Sequence, residues 1–481
     1  YLFYAFSATL IGCIIGSIIG TLTFPKIIYE SWKMLYIEPD MHLYIPFHLI
    51  IIATISFLIV MCFTTYYVCH QSMKEVPSQL LRPASPKLGK STFIEHIGFI
   101  WNHLSFTWKV TVRNLLRYKR RLIMTVIGVG GCSALMVIGF GIRDSINQMV
   151  KLQFTDITHY DGSAKINAEI SSEDKKTLIE KVNADKEAAS NLTAVSYTGI
   201  VTFNDEDETV LTQVFENNAE IEQLYTLRTR KGHQPIPLTD EGIIISEKLS
   251  EDLNIHTGDT VTIESKKGIR KKVQVSGICE MYIQHYAFIS KPLYEKLFDT
   301  TLEDDTMFIT CSTDDSTHLQ KMLANDSHID SISFYDVTLE NFNQMVSTLN
   351  YIIIILIVSS MALAFVVLGN LMNINISERQ REIATLKVLG FRKKEVQSYV
   401  YKENNVLTLL GAVAGLPLGI AIHHWIMREL QFSYVMYGVD VMPLSLFLSV
   451  ILTATFGIFV NLLMRKKLSA IAMVESLKSV E

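Results

Sequence analysis

Apolar residues gather in six runs that contain no Asp, Glu, Lys or Arg: Tyr1 to Pro25, Leu43 to Cys69, Leu122 to Ile142, Tyr351 to Gly369, Asn404 to Met427 and Val441 to Met464. A bilayer core of about 30 Å takes ~20 apolar residues, and every run is near or above that length. Helices of a soluble core would show a polar face at helical spacing, which these runs lack. They predict six transmembrane helices. The first run does not read as a signal peptide, because no initiator Met, basic leader or cleavage site accompanies it. A chain starting inside an apolar run reads as part of something longer.

Between the third and fourth runs the pattern changes to alternating short strands and helices. Ser171 to Ala189 reads as a charged helix, and Thr193 to Phe203 and Thr209 to Phe215 as strands. Gly242 to Ser246, a short helix to Asn254, a turn at Gly258-Asp259, Thr260 to Glu264 and Arg270 to Ile278 form a second β-rich group. Thr306 to Cys311, Asp314 to Ala324, Ile329 to Tyr335 and a helix from Leu339 close the segment. That last helix runs without Gly or Pro into the fourth span, and Arg143 to Phe154 continues the third. Two helices leaving the membrane together predict a stalk that carries movement across the bilayer.

Charge orients the spans. Residues 71–121 hold ten basic and two acidic residues, 374–402 hold seven and three, and 465–481 hold four and two. The short loops 24–44 and 428–442 together hold three basic and five acidic residues. Lys and Arg collect on the cytoplasmic side, so the short loops and the long segment 143–350 lie outside. That segment carries 35 acidic against 19 basic residues, whereas the whole chain of 481 residues has a formal charge of only −5. With 49% hydrophobic and 19% charged residues, the composition excludes a disordered or collagen-like chain, and six cysteines exclude a disulfide scaffold.

An internal repeat is visible. Gly12, Gly16 and Gly20 form GxxxGxxxG in the first run, and Gly411, Gly415 and Gly419 form it again in the fifth, at an offset of 399. Small residues four apart line one helix stripe and allow a neighbouring backbone to come close. Pro46 opens the second run as Pro443 opens the sixth. The linker starts with Pro77, Pro83, Pro86 and Gly89, then turns amphipathic. Phe93, Ile97, Ile100, Trp101, Leu104, Trp108, Val112, Leu115 and Leu116 sit at helical spacing among Lys109, Arg113, Arg117 and Arg120. Tryptophan and basic residues beside a span suit a helix in the headgroup layer; a packed cytoplasmic helix is the alternative.

The segment between the fourth and fifth spans reads Ser377-Glu378-Arg379-Gln380-Arg381-Glu382-Ile383-Ala384-Thr385-Leu386-Lys387-Val388-Leu389-Gly390, then Phe391-Arg392-Lys393-Lys394-Glu395-Val396. Ser377 can cap a helix that Gly390 ends in the left-handed conformation, with Ile383, Leu386 and Leu389 on one face. From this pattern alone, a solvated juxtamembrane helix is the simpler reading. The string, followed by a basic stretch, Glu403 at the next span and the glycine triplet, resembles the FtsX/MacB-like permease family of ABC transporters. Asn114-Leu115-Leu116-Arg117-Tyr118-Lys119-Arg120-Arg121, followed by Gly128-Val129-Gly130, is similar to that family's approach to its first span. The resemblance runs from Leu104 to the end, with the first two runs as the close of a preceding unit.

The resemblance implies an α-helical membrane protein, six transmembrane helices in this chain, with an inserted α/β extracytoplasmic domain. On that reading residues 1–70 hold the last two transmembrane helices of a first FtsX-like unit, and 71–121 a cytoplasmic linker with an interfacial amphipathic helix. Residues 122–142 form the first transmembrane helix of the second unit, and 143–350 the extracytoplasmic domain with its helical stalk. A transmembrane helix at 351–373, a cytoplasmic coupling region at 374–402, a helix pair at 403–464 and a cytoplasmic tail at 465–481 complete it. The resemblance further implies that Glu378, Arg379, Arg381, Glu382, Thr385, Lys387 and Gly390 form a surface for a separate cytoplasmic ABC ATPase subunit acting as a dimer.

The implied function is the permease subunit of an ATP-driven transporter of mechanotransmission type, exporting or extracting a peptide, lipoprotein or amphiphilic drug. It would sit as a multi-pass protein in a bacterial cell membrane, with the lipid bilayer and an extracytoplasmic substrate or partner as its other contacts and no nucleic acid. The alternative is a regulatory protein that activates an outer partner such as a cell-wall hydrolase. An ion-driven transporter would want ionisable residues mid-span, and the runs have no Asp, Glu, Lys or Arg.

The chain itself is expected to be no enzyme, with no catalytic, cofactor-binding or metal residue and ATP used by the partner subunit. Gly89-Lys90-Ser91-Thr92 matches only the tail of a phosphate loop, lacking the first glycine and the strand before it. His423-His424 have no second ligand pair and read as interfacial packing. Cys279 and Cys311 fall in predicted strands, as a disulfide or as two buried thiols. Asp205-Glu206-Asp207-Glu208 reads as a solvated hairpin turn, with a cationic-peptide contact as the minor alternative.

Overall fold

The computed structural model describes residues 1–32, 45–74, 119–312, 316–378, 388–430 and 434–469, with 102–103, 109, 112–113, 383 and 385 besides. The linker's proline-rich start, most of its amphipathic stretch and the final residues 470–481 lie outside the described residues. The chain forms two compact units, one of residues 1–139, 347–419 and 446–481, the other of 140–346 and 420–445.

Among the described residues, six helices are long and apolar enough to cross a membrane. They are α1 (Leu2–Trp32), α2 (Phe47–Met73) and α3 (Lys119–Lys151), with three more, α9 (Tyr335–Glu378), α10 (Lys393–Glu429) and α11 (Pro443–Ser469), after the inserted domain. Pro46 and Pro443 stand at helix starts, where a missing N–H costs nothing because the first turn has no acceptor for it. Helix α1 packs on α2. In the same unit, Val129 and Cys132 of α3, Ala364 and Leu368 of α9 and Val460 of α11 form one buried cluster. Helix α9 runs unbroken over 44 residues because nothing between Tyr335 and Glu378 interrupts it except a single Gly369. Ser377 therefore does not cap a new helix. It lies inside α9, and its Oγ donates to the Asn373 carbonyl at 2.9 Å. After Lys151, α3 widens into a π-helical turn, Leu152–Ile157.

The described residues of the outer domain hold nine strands and five short helices. In chain order they are β1 (Gly162–Ile166), α4 (Ser172–Asn183), β2 (Ala188–Phe203), β3 (Glu206–Phe215), α5 (Asn218–Leu224), β4 (Ile243–Ser246), α6 (Glu247–Leu253), β5 (Thr260–Glu264), β6 (Arg270–Cys279), β7 (Tyr286–Ser290), α7 (Lys291–Phe298), β8 (Thr306–Cys311), α8 (Thr317–Ala324) and β9 (Ile329–Phe334). The strand order is β3-β7-β4-β6-β5-β2-β8-β1-β9, and β3 also pairs with β2, so β2, β3, β7, β4, β6 and β5 close into a barrel. Closure removes the unpaired edges that invite aggregation.

Alternate residues point into the barrel, as the two-residue strand period requires. Val195, Tyr197 and Val201 of β2, Ile243 and Ile245 of β4, Val261 and Ile263 of β5, Val273 and Val275 of β6, and Ala287 and Ile289 of β7 belong to one buried core. Strands β2, β8, β1 and β9 form a second, fully antiparallel sheet. With α4 between β1 and β2 and α8 between β8 and β9, its chain order is the split βαβ arrangement. One face packs on the helices through Ala164, Ile166, Met307, Ile309, Leu178, Val182, Leu319 and Leu323.

Strand β2 belongs to both parts. Ala194 still pairs with Thr306 of β8, and the next residue, Val195, pairs with Val214 of β3. The strand expected from Thr193 therefore begins earlier, at Ala188, because its first half has β8 as a partner. For the same reason the helix expected to Ala189 ends at Asn183. Its start is capped by Ser171, whose side chain accepts from the Asp174 N–H. Asp205 falls in the two-residue turn of the β2–β3 hairpin, where Asn204 and Asp205 both have positive φ, 51° and 67°. Strands β1 and β7 and helices α5 and α7 were not among the predicted elements. Strand β7 is buried throughout and so shows no alternation.

Candidate functional site

The segment after α9 carries the residues singled out for a partner surface. Arg379, Arg381, Glu382 and Lys387 lie outside the described residues, and Glu378 is the last residue of α9. Thr385 is exposed, and its carbonyl accepts from the Leu389 N–H at 2.9 Å. Gly390 has φ +89, a left-handed conformation in which a side chain would be strained. Arg392 follows, its N–H donating to Glu395 Oε2 at 2.8 Å, which satisfies one free donor at the start of α10.

The expected apolar face does not stay together. Ile383 is 1% exposed, whereas Leu389 is 70% exposed beside Val388 and Phe391. Leu389 already lies in the turn that Gly390 closes, so the helical spacing that would group it with Ile383 has ended. Val388 and Phe391, which the charge-based reading passed over, add uncovered apolar surface at this bend.

The glycine triplet of α10 lies against α3. A Cβ on Gly411 would stand 2.8 Å from Val129 Cβ, and one on Gly419 would stand 3.0 Å from Ala134 Cα. One on Gly415 would overlap the Gly130 carbonyl oxygen. Ser133 Oγ of α3 donates to the Ala412 carbonyl at 2.9 Å across the same contact. Around Gly12, Gly16 and Gly20 no atom of the described residues lies within 4 Å of a Cβ position. Between α10 and α11, Asn404 Nδ2 donates to Asn461 Oδ1 at 2.6 Å, and Asn461 Nδ2 donates to Asn405 Oδ1 at 2.5 Å. Glu403 beside them is 1% exposed.

At the other end of α10, His423 is buried against Gly141, with its Nε2 3.1 Å from Ser145 Oγ. Asp144 Oδ2 accepts from the Met442 N–H at 3.0 Å. His423 is thus a packed residue at a glycine notch.

In the outer domain, Cys279 is a buried thiol at the end of β6 and Cys311 a half-buried one at the end of β8, and no disulfide joins them. Burial pushes the Cys279 thiol up. Asp185, Glu187 and His318 bring ligand-type atoms within 4.8 Å of one another, which no local motif announced. Asp185 Oδ2 pairs with His318 Nδ1 at 2.9 Å, and Glu187 Oε2 accepts from the Leu319 N–H in the first turn of α8. Hydrogen bonding already accounts for the group.

The helix-free face of the four-stranded sheet carries Ser163 and Lys165 of β1 beside Thr306 and Phe308 of β8 and Ser331 and Ser333 of β9. It borders a cavity of ≈ 630 Å³ whose other walls include Tyr197, Leu211, Gln213 and Tyr286. Asp305 Oδ2 takes Lys165 Nζ at 2.8 Å and Lys266 Nζ at 2.5 Å. Burial pushes the Asp305 carboxyl up, but the hydrogen bonds from Lys165 and Lys266 outweigh it, and the net direction is down. Tyr160 and Tyr225 join hydroxyls at 2.8 Å in an aromatic cluster with Phe215, Phe288 and Phe308. Burial pushes both phenols up and keeps them neutral.

Two family models match the chain. Residues 122–325 match the MacB-like periplasmic core domain, and residues 354–472 match the FtsX-like permease C-terminal. An uncharacterized ABC transporter permease of Methanocaldococcus jannaschii is 27% identical over 184 residues, which is 36% of this chain and 44% of that protein. The chain thus spans less than half of that relative's length. The periplasmic region of MacB from Actinobacillus actinomycetemcomitans aligns with 39% of this chain and 94% of that one, at 13% identity and TM-score 0.24. The extracellular domain of the noncanonic ABC-type transporter YknZ from Gram-positive bacteria aligns with 36% of this chain and 98% of that one, at 13% identity and TM-score 0.24.

Proposed function

We propose that this chain, which by its two matched domains belongs to the FtsX/MacB-like ABC transporter permeases, couples a separate cytoplasmic ATPase to movement of its extracytoplasmic domain. The observation that carries this reading is the course of α9. One helix starts where β9 ends, at Tyr335, and finishes at Glu378, at the head of the partner-facing segment. The helix is thus the stretch of chain along which the proposed coupling between the partner-facing segment and the sheet would run.

On this reading Glu378, Arg379, Arg381, Glu382, Thr385, Lys387 and Gly390 meet the ATPase dimer, and their charges set orientation and partner choice more than affinity. ATP is bound and hydrolysed on the partner, and this chain is non-catalytic. The protein sits in a bacterial cytoplasmic membrane, and the work done outside is export or extraction of a peptide, a lipoprotein or an amphiphilic drug.

The test is co-purification of the full-length permease with its ATPase. Glu382→Lys is expected to weaken recovery of the ATPase and its stimulation while membrane insertion persists. Unchanged recovery with unchanged stimulated ATP hydrolysis would sink the assignment. Substrate release from liposomes supports transport, whereas ATP-dependent activation of a bound outer enzyme without such release would favour regulation.

A further inference from the structure

The outer-domain cavity has a charge pattern that its own residues do not complete. Two ammonium groups, Lys165 and Lys266, converge on the single carboxylate of Asp305, leaving one positive charge in excess. Lys165 Nζ is further engaged by the Ser196 carbonyl. Lys266 Nζ donates to Asp305 Oδ2, and an ammonium with three donors keeps capacity for an incoming acceptor.

A second polar group points the same way. Gln213 lines the cavity from β3, is 1% exposed, and its Oε1 has no hydrogen-bond partner. A buried amide oxygen left unpaired costs free energy that a donor from a ligand would recover. The remaining walls mix aromatic and aliphatic residues, Leu211, Phe308 and Tyr335, with the hydroxyl-bearing Ser163, Ser331 and Ser333. A cavity of ≈ 630 Å³ is within the size of small-ligand sites.

We propose that this cavity binds the C-terminal end of an apolar peptide, its carboxylate on Lys266 and a peptide N–H on Gln213 Oε1. The excess cation calls for one anionic group, the part of the wall formed by Leu211, Phe308 and Tyr335 accommodates apolar side chains, and Gln213 calls for a donor. A fatty acid supplies the first two and no donor. A peptide terminus supplies all three. The assignment concerns binding by this domain and does not depend on coupling to an ATPase.

The probe is a photoactivatable tripeptide, leucine–photoleucine–phenylalanine, offered to the full chain in phosphatidylcholine nanodiscs as the free acid or the C-terminal amide. Labelled positions are read by peptide mass spectrometry. The acid is expected to label the strands that carry Gln213 and Tyr286, and the amide about tenfold less, the equivalent of ~1.4 kcal/mol. Lys266→Gln is expected to lower labelling by the acid to the amide level, and Lys266→Arg to restore it. Ser333→Phe, at an exposed position on the cavity-facing side of β9, fills the space with the charges intact and is expected to abolish labelling. Circular dichroism establishes that each variant is folded. Equal labelling by acid and amide, or labelling that survives both Lys266→Gln and Ser333→Phe, overturns the proposal. Decanoate competing as well as the tripeptide acid overturns the peptide assignment.

Discussion

Gly415 rests directly on the main chain of Gly130: a Cβ on Gly415 would lie 2.9 Å from the Gly130 Cα and overlap its carbonyl oxygen. Lipid tails are as apolar as leucine, so close backbone contact supplies what the hydrophobic effect cannot between spans. Gly415→Val is expected to force α3 and α10 apart at a cost of about 1–3 kcal/mol, the range for overpacking. Unfolding by sodium dodecyl sulfate of the purified chain measures it. Gly131→Ala is the control, since no neighbouring atom of the described residues lies within 4 Å of its Cβ position. Equal stability of Gly415→Val and wild type would remove the contact from the account.

Asn461 links two asparagines of α10 from α11 and is 4% exposed. Asn461→Leu deletes both hydrogen bonds and leaves two amides to find other partners. Double-mutant cycles on such bonds in membrane proteins average ~0.6 kcal/mol and reach ~1.7 kcal/mol. A shift of that size toward instability is expected in the same detergent titration, and a stabilised Asn461→Leu would contradict it.

Gly390→Ala places a Cβ at φ +89. The left-handed conformation costs an L-residue about 1–2 kcal/mol, and asparagine less than alanine. The amides of Leu389 and Phe391 are expected to exchange hydrogen faster in Gly390→Ala than in Gly390→Asn. Identical exchange in both variants would mean the turn does not depend on glycine.

Asp305 has a carboxyl held below its ordinary value, because hydrogen bonds from Lys165 and Lys266 outweigh the upward push of burial. A folded pKa below the unfolded one stabilises above the unfolded value, ~3.9, and the stabilisation is lost as pH falls through the folded value. Thermal unfolding followed by near-ultraviolet tyrosine dichroism should therefore show wild type losing its advantage over Asp305→Asn below pH ~4. At neutral pH the variant should be less stable, since it leaves two lysines without their counter-charge. A stability difference that does not change with pH would rule out this linkage.

Much of this architecture was legible in the sequence. The uncharged runs mark all six helices because a span must be apolar on every side. Val261 and Ile263, or Val273 and Val275, show strand alternation because one face of each strand meets the barrel core. Strand β7 was invisible since Tyr286 to Ser290 is buried on both faces, and β1 since Ser163 and Lys165 face the cavity rather than solvent. The site was less legible. Lys165, Lys266 and Asp305 lie far apart in sequence: the pairing of β1 with β8 brings Lys165 to Asp305, and β2, which pairs with both β5 and β8, brings Lys266 there. The exposed Leu389 was misplaced because helical spacing was carried past the point where Gly390 ends it.

Strand β2 leaves the four-stranded sheet at Ala194, and the chain returns to it at Asp305, whose N–H donates to the Ala194 carbonyl at 3.1 Å. The whole barrel is therefore a loop with its two ends already side by side. Such an insert is a cassette: it can be lengthened, replaced or deleted without asking the host sheet to change register. A chain in which a short turn joins Ala194 to Asp305 should keep β1, β8 and β9 in place.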